Sequence, residues 1–469
     1  MEKETIVIIG GGITGLSAAY YLQKSIQEKN LPYEIKLIEA SNRLGGKIDT
    51  LKRDGFIIER GPDSIIVRKK PGVKLVEELG LKDKMIRNGT GQSYILVNGE
   101  LHKMPKGAFM GIPKDIEGFL ESELVSPEGK KRALLDLEMG KGEEEADQSL
   151  GAFLRRRLGD ELVENEIEPL LAGIYSGDID EMSLMATFPN FYHLVQKYGS
   201  LIKGLQETIP TPPKPTGKKV PGVFFSFKEG LGIVVDKLVE KLNEESITME
   251  KAVTHIEKID SGYQLSLSDG EIVTASAVIA TTPHQTIPKM FNDIEFLNVL
   301  TDVPSSSVAN VALAFDQSAI KQDIDGTGFV VSRNNDYRIT ACTWTHKKWP
   351  TTTPEGKALI RCYVGRPNDQ EVVDLPDEEL INIVLHDLNK TMNITAKPEF
   401  SVISRWKNVM PQYTVGHLER IEKVRDEANK HLPGVFLAGS SFEGVGIPDC
   451  IEQGEKAVEQ VLEFLQLSR

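Results

Sequence analysis

The residues whose spacing most directly indicates chemistry are three glycines near the start of the chain. Gly10, Gly12 and Gly15 follow the apolar residues 6–9 and fit the pattern G-x-G-x-x-G. In such a turn the first glycine permits a sharp bend, the second admits a pyrophosphate, and the third lets a helix pack closely on the strand. The N–H groups that begin the following helix favour a bound anion. The pattern predicts a dinucleotide site formed by Gly10, Gly11, Gly12, Ile13, Thr14 and Gly15.

An acid at the expected distance supports this prediction. Residues 34–38 form a second strand pattern, which ends at Glu39 and Ala40. An acid about 20–25 residues beyond the glycines is placed to accept hydrogen bonds from ribose hydroxyls. The alternative is an ordinary glycine-rich turn, which would not need Glu39.

Two charged turns follow. Residues 43–47 read R-L-G-G-K, and residues 61–64 read G-P-D-S at the end of another strand pattern. By themselves, the first is a glycine turn with solvated cations, and the second is an ordinary turn with Asp63 as a cap. The three adjacent cations at 68–70, which include Lys69, are typical of a solvated face.

The end of the chain contains another glycine-rich stretch. Residues 433–440 have a strand pattern that ends near Gly439, and a loop containing Gly446 precedes a helical pattern at 450–465. Glycines here would let the chain lie against a flat ligand. A helix N-terminus aimed at such a ligand would stabilise negative charge that develops on it. The alternative is a plain strand–helix unit.

The elements that must position these residues indicate a mixed α/β and α+β protein. Residues 5–39 have a strand–helix–strand pattern, and residues 113–203 show helical spacing. Five later segments alternate as strands, at 305–315, 327–332, 338–345, 358–364 and 400–406. A proline-rich link at 208–222 separates the helical region from the rest of the chain.

Composition limits the class of protein. The chain has 469 residues and a net charge of −14, which argues against general attraction to nucleic acid or anionic membranes. Three separated cysteines, Cys342, Cys362 and Cys450, form no metal-binding pattern, so we predict no metal site. No signal peptide and no apolar run long enough to span a membrane are apparent in the sequence. We therefore expect a cytoplasmic protein.

Several segments together resemble a known family. They read IIGGGITGL, ERGPDS, IEPLLAGIYSGD, SVANVAL, GTGFVVSRN, TACTW, MPQY and SFEGVGIPDC. Within the superfamily of FAD-dependent amine oxidases, they resemble the oxygen-dependent protoporphyrinogen oxidases, and specifically the Gram-positive bacterial type. The resemblance extends over essentially the whole chain.

The resemblance implies a discontinuous, Rossmann-like FAD-binding domain. We assign its three segments to residues 1–85, 206–290 and 406–469. Between them we expect an inserted helical and substrate region at 86–205, with a surface that could face a membrane, and a mixed-sheet substrate domain at 291–405.

The resemblance also implies roles for individual residues. The FAD, bound non-covalently, would contact the glycine motif and Glu39, followed by Ala40, Arg43, Gly46, Lys47, Gly61, Pro62, Asp63, Ser64, Val253, Trp406, Gly439, Gly446, Ile447 and Pro448. Asp63 is the candidate catalytic residue, because a carboxylate beside the ring could stabilise pyrrolic N–H groups or a developing cation. The candidates for binding substrate propionates are Lys69, Arg333 and Arg338.

The activity that the resemblance implies is oxidation of coproporphyrinogen III to coproporphyrin III, and of protoporphyrinogen IX as a second substrate. Removing six electrons requires three two-electron steps, with O2 as the final acceptor and H2O2 as product. Handover of product to ferrochelatase and peripheral membrane contact are further expectations. The alternatives are another flavin amine oxidase, a carotenoid desaturase, or a non-catalytic flavin-binding partner of a haem enzyme.

Overall fold

The computed structural model describes residues 3–89, 91–142, 147–210, 222–292, 294–333 and 335–467. Most of the proline-rich link predicted at 208–222 lies outside these residues. The strands are β1 (Glu4–Ile9), β2 (Tyr33–Ile38), β3 (Thr50–Arg53), β4 (Phe56–Glu59), β5 (Ile65–Ile66), β6 (Met85–Arg87), β7 (Tyr94–Val97), β8 (Glu100–Lys103), β9 (Ala108–Phe109), β10 (Ile112–Pro113), β11 (Phe224–Phe227), β12 (Ile247–Thr248), β13 (Val253–Ile259), β14 (Gly262–Leu267), β15 (Ile272–Ala275), β16 (Ala277–Ala280), β17 (Ser305–Asp316), β18 (Gly328–Val331), β19 (Ile339–Trp344), β20 (Lys357–Val364), β21 (Phe400–Pro411) and β22 (Val435–Leu437).

The helices are α1 (Ile13–Lys29), α2 (Lys70–Glu78), α3 (Ile116–Glu121), α4 (Pro127–Leu134), α5 (Leu150–Leu158), α6 (Asp160–Leu162), α7 (Glu168–Tyr175), α8 (Leu184–Thr187), α9 (Pro189–Tyr198), α10 (Leu201–Thr208), α11 (Gly232–Lys241), α12 (Ile287–Met290), α13 (Thr345–Lys348), α14 (Asp377–Met392), α15 (His417–His431) and α16 (Ile447–Leu467). A π-helical turn, Val163–Ile167, joins α6 to α7.

A parallel five-stranded sheet gathers the three predicted FAD segments. Its strand order is β12-β2-β1-β16-β22. On β1, Ile6 and Ile8 pack with α1 and α16, whereas Val7 and Ile9 pack with the antiparallel strands β13–β15. Both faces are therefore covered, which explains why β1 is an uninterrupted apolar run. The predicted discontinuous Rossmann-like domain is confirmed.

The helix α1 packs unusually close to the strand that precedes it. A Cβ on Gly15 would lie 1.9 Å from the carbonyl oxygen of Gly10. On the other side, a Cβ on Gly454 of α16 would lie 2.5 Å from the carbonyl oxygen of Thr14. Glycine is required at both positions because neither helix could approach so closely with a larger residue.

The mixed substrate sheet is also confirmed. Its strand order is β21-β17-β20-β19-β18-β7-β8, antiparallel except where β18 pairs with β7. One face packs on α14, and the other meets β3 and β4. The hairpin β7–β8 comes from the predicted helical region, and the predicted boundary at 405 falls inside β21, where Trp406 pairs with Val308. We therefore place the end of this domain after Pro411.

The inserted helices α3–α10 enclose a separate apolar core. A buried ion pair between Asp136 and Arg157 holds these helices together. Asp136 accepts hydrogen bonds from Arg157 Nε at 2.5 Å, Ser200 Oγ at 2.6 Å and the Ile202 N–H at 2.9 Å. In the part of the chain that the structure describes, no helix is long and apolar enough to cross a membrane.

The close approach at Gly15 generates a testable prediction. We expect Gly15→Ala to lower the free energy of unfolding by about 3 kcal/mol or more, because the added methyl group overlaps a backbone oxygen. Gly173→Ala in α7 is the matched control, since its Cβ would meet nothing within 4 Å. The control should be neutral or more stable by about 0.5–1 kcal/mol. Urea unfolding followed by circular dichroism compares the two; equal stabilities would contradict the packing described above.

Candidate functional site: a cofactor cleft

The glycine turn lies at the carboxyl edge of the five-stranded sheet, directly after β1. Gly10 has a φ of +101°, a conformation that side chains rarely adopt. The N–H of Gly11 donates to Glu39 Oε2 at 2.7 Å, which ties the turn to the acid that follows β2. A Cβ on Gly12 would meet only Gly46 Cα, at 3.9 Å, so the backbone is open to a ligand here. Ligands of open α/β sheets bind at this edge.

The start of α1 is suited to an anion. Ile13 and Thr14 form its first turn, which contains no acid, and within the described residues no side chain caps this N-terminus. The first N–H groups of a helix lack partners in the helix, and the helix dipole attracts negative charge to them. A pyrophosphate at this end would satisfy both features.

The loop of residues 43–47 packs against the glycine turn. Gly46, with a φ of +57°, would place a Cβ only 3.0 Å from Gly12 Cα. Arg43 braces its own loop by donating hydrogen bonds of 2.6–3.2 Å to the carbonyl oxygens of Leu44, Gly46 and Ile48. The contact of Arg43 with cofactor phosphates therefore stays a prediction.

Lys47 supplies a positive charge to the same cleft. Its Nζ donates to Ser440 Oγ at 3.2 Å. Burial lowers the pKa of Lys47, and no carboxylate of the described residues forms a salt bridge with it. An ammonium that is withdrawn from water without a counter-charge is unfavourable. A bound anionic group would remove this cost.

Backbone contacts bring two further predicted cofactor residues, Ala40 and Val253, to this edge. The N–H of Glu39 donates to the carbonyl oxygen of Thr248 at 2.9 Å, and the N–H of Lys251 donates to that of Glu39 at 3.1 Å. The start of β13 is thus brought alongside the residues after β2. Ala40 and Val253 directly follow or lie close to these contacts, and their contact with the cofactor stays a prediction.

The C-terminal loop, residues 438–446, forms the far wall. Gly439 has a φ of +125°, and a Cβ there would approach Thr14 Oγ1 and the Thr281 carbonyl oxygen no closer than 3.6 Å. Gly446 directly precedes α16, and Ile447 and Pro448 are its first residues, so the helix begins before the predicted start at 450. Asp449 in the first turn of α16 pairs with Lys69, with Nζ 2.5 Å from Oδ1. One predicted substrate cation is therefore already engaged with an acid beside this loop.

The Gly61 turn, residues 60–64, connects the cofactor cleft to the substrate sheet. A Cβ on Gly61 would lie 1.9 Å from the Lys47 carbonyl oxygen, so the turn and the basic loop are in direct contact. Trp406 of β21 donates from Nε1 to the Arg60 carbonyl oxygen at 2.8 Å. The predicted residues Gly61, Pro62 and Trp406 thus lie in one neighbourhood.

Asp63 in this turn is held by two cations. Its carboxylate lies 2.9 Å from Lys348 Nζ and 3.2 Å from Nη1 of Arg361, and it accepts a hydrogen bond of 2.7 Å from Ser64 Oγ. Burial alone would raise the pKa of Asp63, but the charges of Lys348 and Arg361 lower it well below its usual range. Asp63 is therefore ionised at neutral pH and is a poor proton acceptor.

Lys348, Arg361 and Tyr363 were not predicted from the sequence. Arg361 is completely buried, and its Nη2 donates to the Gly61 carbonyl oxygen at 3.0 Å and to Tyr363 Oη at 2.6 Å. Lys348 lies 285 positions after Asp63 in the chain, so no local spacing joins them. The only available signal was two adjacent lysines beside a tryptophan in the segment HKKW.

The two predicted substrate arginines are already paired with carboxylates. Arg333 contacts Asp178 at 2.7 Å, Glu168 at 3.2 Å and Asp180 at 3.3 Å. Arg338 contacts Asp369 at 2.7 Å. Their role toward a substrate stays a prediction, and any substrate carboxylate would compete with these partners.

The substrate sheet leaves part of one face accessible on its inner strands. Val308, Val330, Ala341, Thr343 and Tyr363 are half-buried. On the opposite face, cross-strand neighbours such as Cys342 and Cys362 are fully covered by the α14 core. Side chains on central strands remain accessible only where a cleft reaches them. The strand positions of Arg361 and Tyr363 place the Asp63 cluster on this same face.

The arrangement fits FAD. The open glycine turn and the start of α1 suit a pyrophosphate, and Glu39 lies where the motif predicts a ribose-binding acid. Lys47 offers a charge that no carboxylate among the described residues pairs with. The Gly61 turn and the C-terminal loop border the remaining length of the cleft, where the flavin ring would lie.

The chain is similar in sequence to a known protein family and to several named proteins. Residues 13–462 match the model of the family described as flavin containing amine oxidoreductase. The chain is 51% identical to the coproporphyrinogen III oxidase of Bacillus subtilis (strain 168), over 99% of each chain. It is 42% identical to the coproporphyrinogen III oxidase of Staphylococcus aureus, over 98% of this chain and 99% of that one. It is 29% identical to chloroplastic protoporphyrinogen oxidase 1 of Spinacia oleracea, over 98% and 84%.

Solved structures agree in fold. A crystal structure of a protein from Exiguobacterium sp. 255-15 matches with a TM-score of 0.87 and 40% identity, over all of both chains. A reduced UDP-galactopyranose mutase matches with a TM-score of 0.73 but only 16% identity, over 99% of this chain and 94% of that one, which shows likeness of fold alone.

The Asp63 cluster generates a second prediction. We expect Asp63→Asn to lower the free energy of unfolding by about 3–5 kcal/mol, because it removes the carboxylate that pairs with the buried Arg361 and with Lys348. Asp269→Asn is the matched control, since Asp269 forms an exposed pair with Lys251 and should contribute about 1 kcal/mol or less. Urea unfolding at neutral pH measures both. A loss no larger than that of the control would show that Asp63 does not compensate these charges.

Proposed function

The chain belongs to the flavin-containing amine oxidoreductase family, and we propose that it oxidises coproporphyrinogen III to coproporphyrin III, with O2 as acceptor and release of H2O2. The family match over residues 13–462 confirms the predicted family, the predicted FAD cofactor and the prediction of an oxidoreductase. One observation carries the choice of substrate. The chain is 51% identical, end to end, to a coproporphyrinogen III oxidase but only 29% identical to a chloroplastic protoporphyrinogen oxidase.

FAD, when bound, supplies the two-electron acceptor for each oxidation step. The chain's own contribution is to bind and orient. The start of α1 and the glycine turn would hold the pyrophosphate, and Glu39 would hold the ribose. Lys47 would place a positive charge in the cleft, where electrostatic stabilisation of developing negative charge is most effective.

The substrate would lie on the accessible face of the mixed sheet. Its apolar and small residues, such as Val308, Val330 and Ala341, suit the flat, largely apolar body of a tetrapyrrole. Helix α7, which packs beside β18 and β19, has partly exposed Leu170 and Ile174. The four carboxylates of coproporphyrinogen III would need cations at the edges of the cleft, for which Lys69, Arg333 and Arg338 stay the candidates.

Asp63 would act as a fixed negative charge. Because Lys348 and Arg361 lower its pKa, it is unsuited to accept a proton at neutral pH. An ionised carboxylate beside the bound substrate could instead accept hydrogen bonds from pyrrolic N–H groups or stabilise positive charge that develops on the macrocycle. This agrees with the role for which the sequence suggested Asp63.

Non-covalent attachment of the flavin is supported by the state of Cys450. This cysteine lies beside the C-terminal loop, in the first turn of α16, and is 5% exposed. Burial raises the pKa of its thiol to about 11, so the reactive thiolate is scarce at neutral pH. Other flavin amine oxidases and a non-catalytic partner protein remain the competing functions. Product handover to ferrochelatase, membrane contact and a cytoplasmic location stay predictions.

The purified protein tests this proposal directly. We expect yellow protein that releases its flavin on denaturation, and fluorescent porphyrin formation under air that is faster with coproporphyrinogen III than with protoporphyrinogen IX. Rates without protein correct for spontaneous oxidation, and peroxide release should accompany turnover. Preference for protoporphyrinogen IX would overturn the substrate assignment. Flavin-loaded protein that exceeds the spontaneous rate with neither substrate would favour the partner-protein alternative.

A further inference from the structure

Two aromatic side chains lie stacked behind the C-terminal loop. The rings of Tyr413 and His417 are 4.1 Å apart and inclined by only 13°. Tyr413 is 1% exposed and His417 is completely buried. Tyr413 ends the segment MPQY, which the sequence singled out by resemblance, and His417 follows as the first residue of α15; the proposed chemistry uses neither residue.

Each ring donates a hydrogen bond to a carbonyl oxygen of the loop. Tyr413 Oη donates to Ser440 at 2.7 Å. His417 Nε2 lies 3.0 Å from the carbonyl oxygen of Phe442, and since a carbonyl only accepts, Nε2 must carry the proton. Burial lowers the pKa of His417 to about 4, so the ring is neutral at physiological pH and Nδ1 is unprotonated.

Ser440 links this pair to the cofactor cleft. Its carbonyl oxygen is held by Tyr413, while its hydroxyl accepts the hydrogen bond from Lys47 Nζ. Next to it, the N–H of Gly439 donates to Gln453 Oε1 at 3.0 Å. A chain of contacts therefore runs from the Tyr413 hydroxyl through one serine to the positive charge of the cleft.

The other side of the segment is fastened to the helical insert. Gln412 Nε2 donates to the Tyr175 carbonyl oxygen at 2.9 Å, and the Ser183 N–H donates to that of Tyr413 at 2.7 Å. The N–H of Gly416 donates to Asp147 Oδ2 at 3.0 Å. These hydrogen bonds to the helical insert fix the segment in place. The stacked rings of Tyr413 and His417 can therefore hold the C-terminal loop in position.

We propose that Tyr413 and His417 are positioning residues that hold the C-terminal loop, and through Ser440 the Lys47 ammonium, against the bound flavin. This rests on the proposed function, since it requires FAD in the cleft. A cation held near the ring favours the reduced, more negative flavin and therefore raises its midpoint potential. Loosening Ser440 should let Lys47 move away and lower that potential.

The test uses FAD-loaded full-length protein. We expect Tyr413→Phe, which keeps the ring and removes the hydroxyl, to shift the flavin midpoint potential to a more negative value and to change its visible spectrum. Loss of one net hydrogen bond should also weaken FAD binding about 2- to 10-fold. Tyr263→Phe is the matched control, because this buried tyrosine likewise donates to a backbone carbonyl, that of Pro433, at 2.9 Å. It should leave the potential unchanged.

A second pair of variants keeps the test decisive if Tyr413→Phe folds poorly. His417→Gln retains an N–H donor and should keep the potential close to that of the unaltered protein, whereas His417→Leu should lower it. A potential in Tyr413→Phe equal to that of Tyr263→Phe, or equal potentials in the two His417 variants, would overturn the proposal even if stability falls. Unaltered protein that binds no FAD would instead overturn the proposed function.

Discussion

The structure depends on the parallel pairing of β1 with β2 on one side and β16 on the other. Parallel neighbours cannot be joined by a tight turn, so the chain must leave the sheet and return after each strand. Between β2 and β16 it builds β3 and β4, the helical insert and the strands β13–β15, and between β16 and β22 it builds most of the substrate sheet. Each of these connecting segments therefore starts or ends at the sheet edge where the glycine turn lies. This brings the other domains to the cofactor cleft.

An ion-pair cluster joins the substrate sheet to this edge of the parallel sheet. Asp63, on the Gly61 turn of the cofactor domain, pairs with Arg361 on β20 of the substrate sheet and with Lys348 at the end of α13, the helix that follows β19. An arginine without solvent contact is tolerated only with a counter-charge. This ion-pair cluster therefore joins the two domains. It also holds a negative charge on the accessible face of the substrate sheet. The lowered pKa of Asp63 is a consequence of this join, and it agrees with the expected role of a carboxylate that stays ionised.

Much of the fold was predictable from local sequence patterns, because these patterns depend on interactions between residues that are close in the chain. The β-branched run of β1 and the glycine spacing each specify a conformation through neighbours in the chain. Predicted boundaries were least accurate where an element continues through pairing: β21 extends to Pro411 because β17 offers partners that far. The hairpin β7–β8 was assigned to the helical region because nothing in its own sequence identifies β18 as its neighbour.

By itself, the sequence determined the dinucleotide turn, the acid at Glu39, the two classes of sheet and, by resemblance, the family. These depend on residues within about 40 positions of each other or on motifs that a family shares. Only the tertiary structure decided which charged and polar groups meet: Lys348 and Arg361 at Asp63, Asp449 at Lys69, and Tyr413 at Ser440. The reason is that electrostatic and hydrogen-bond partners are selected by distance in space, which spacing along the chain does not encode.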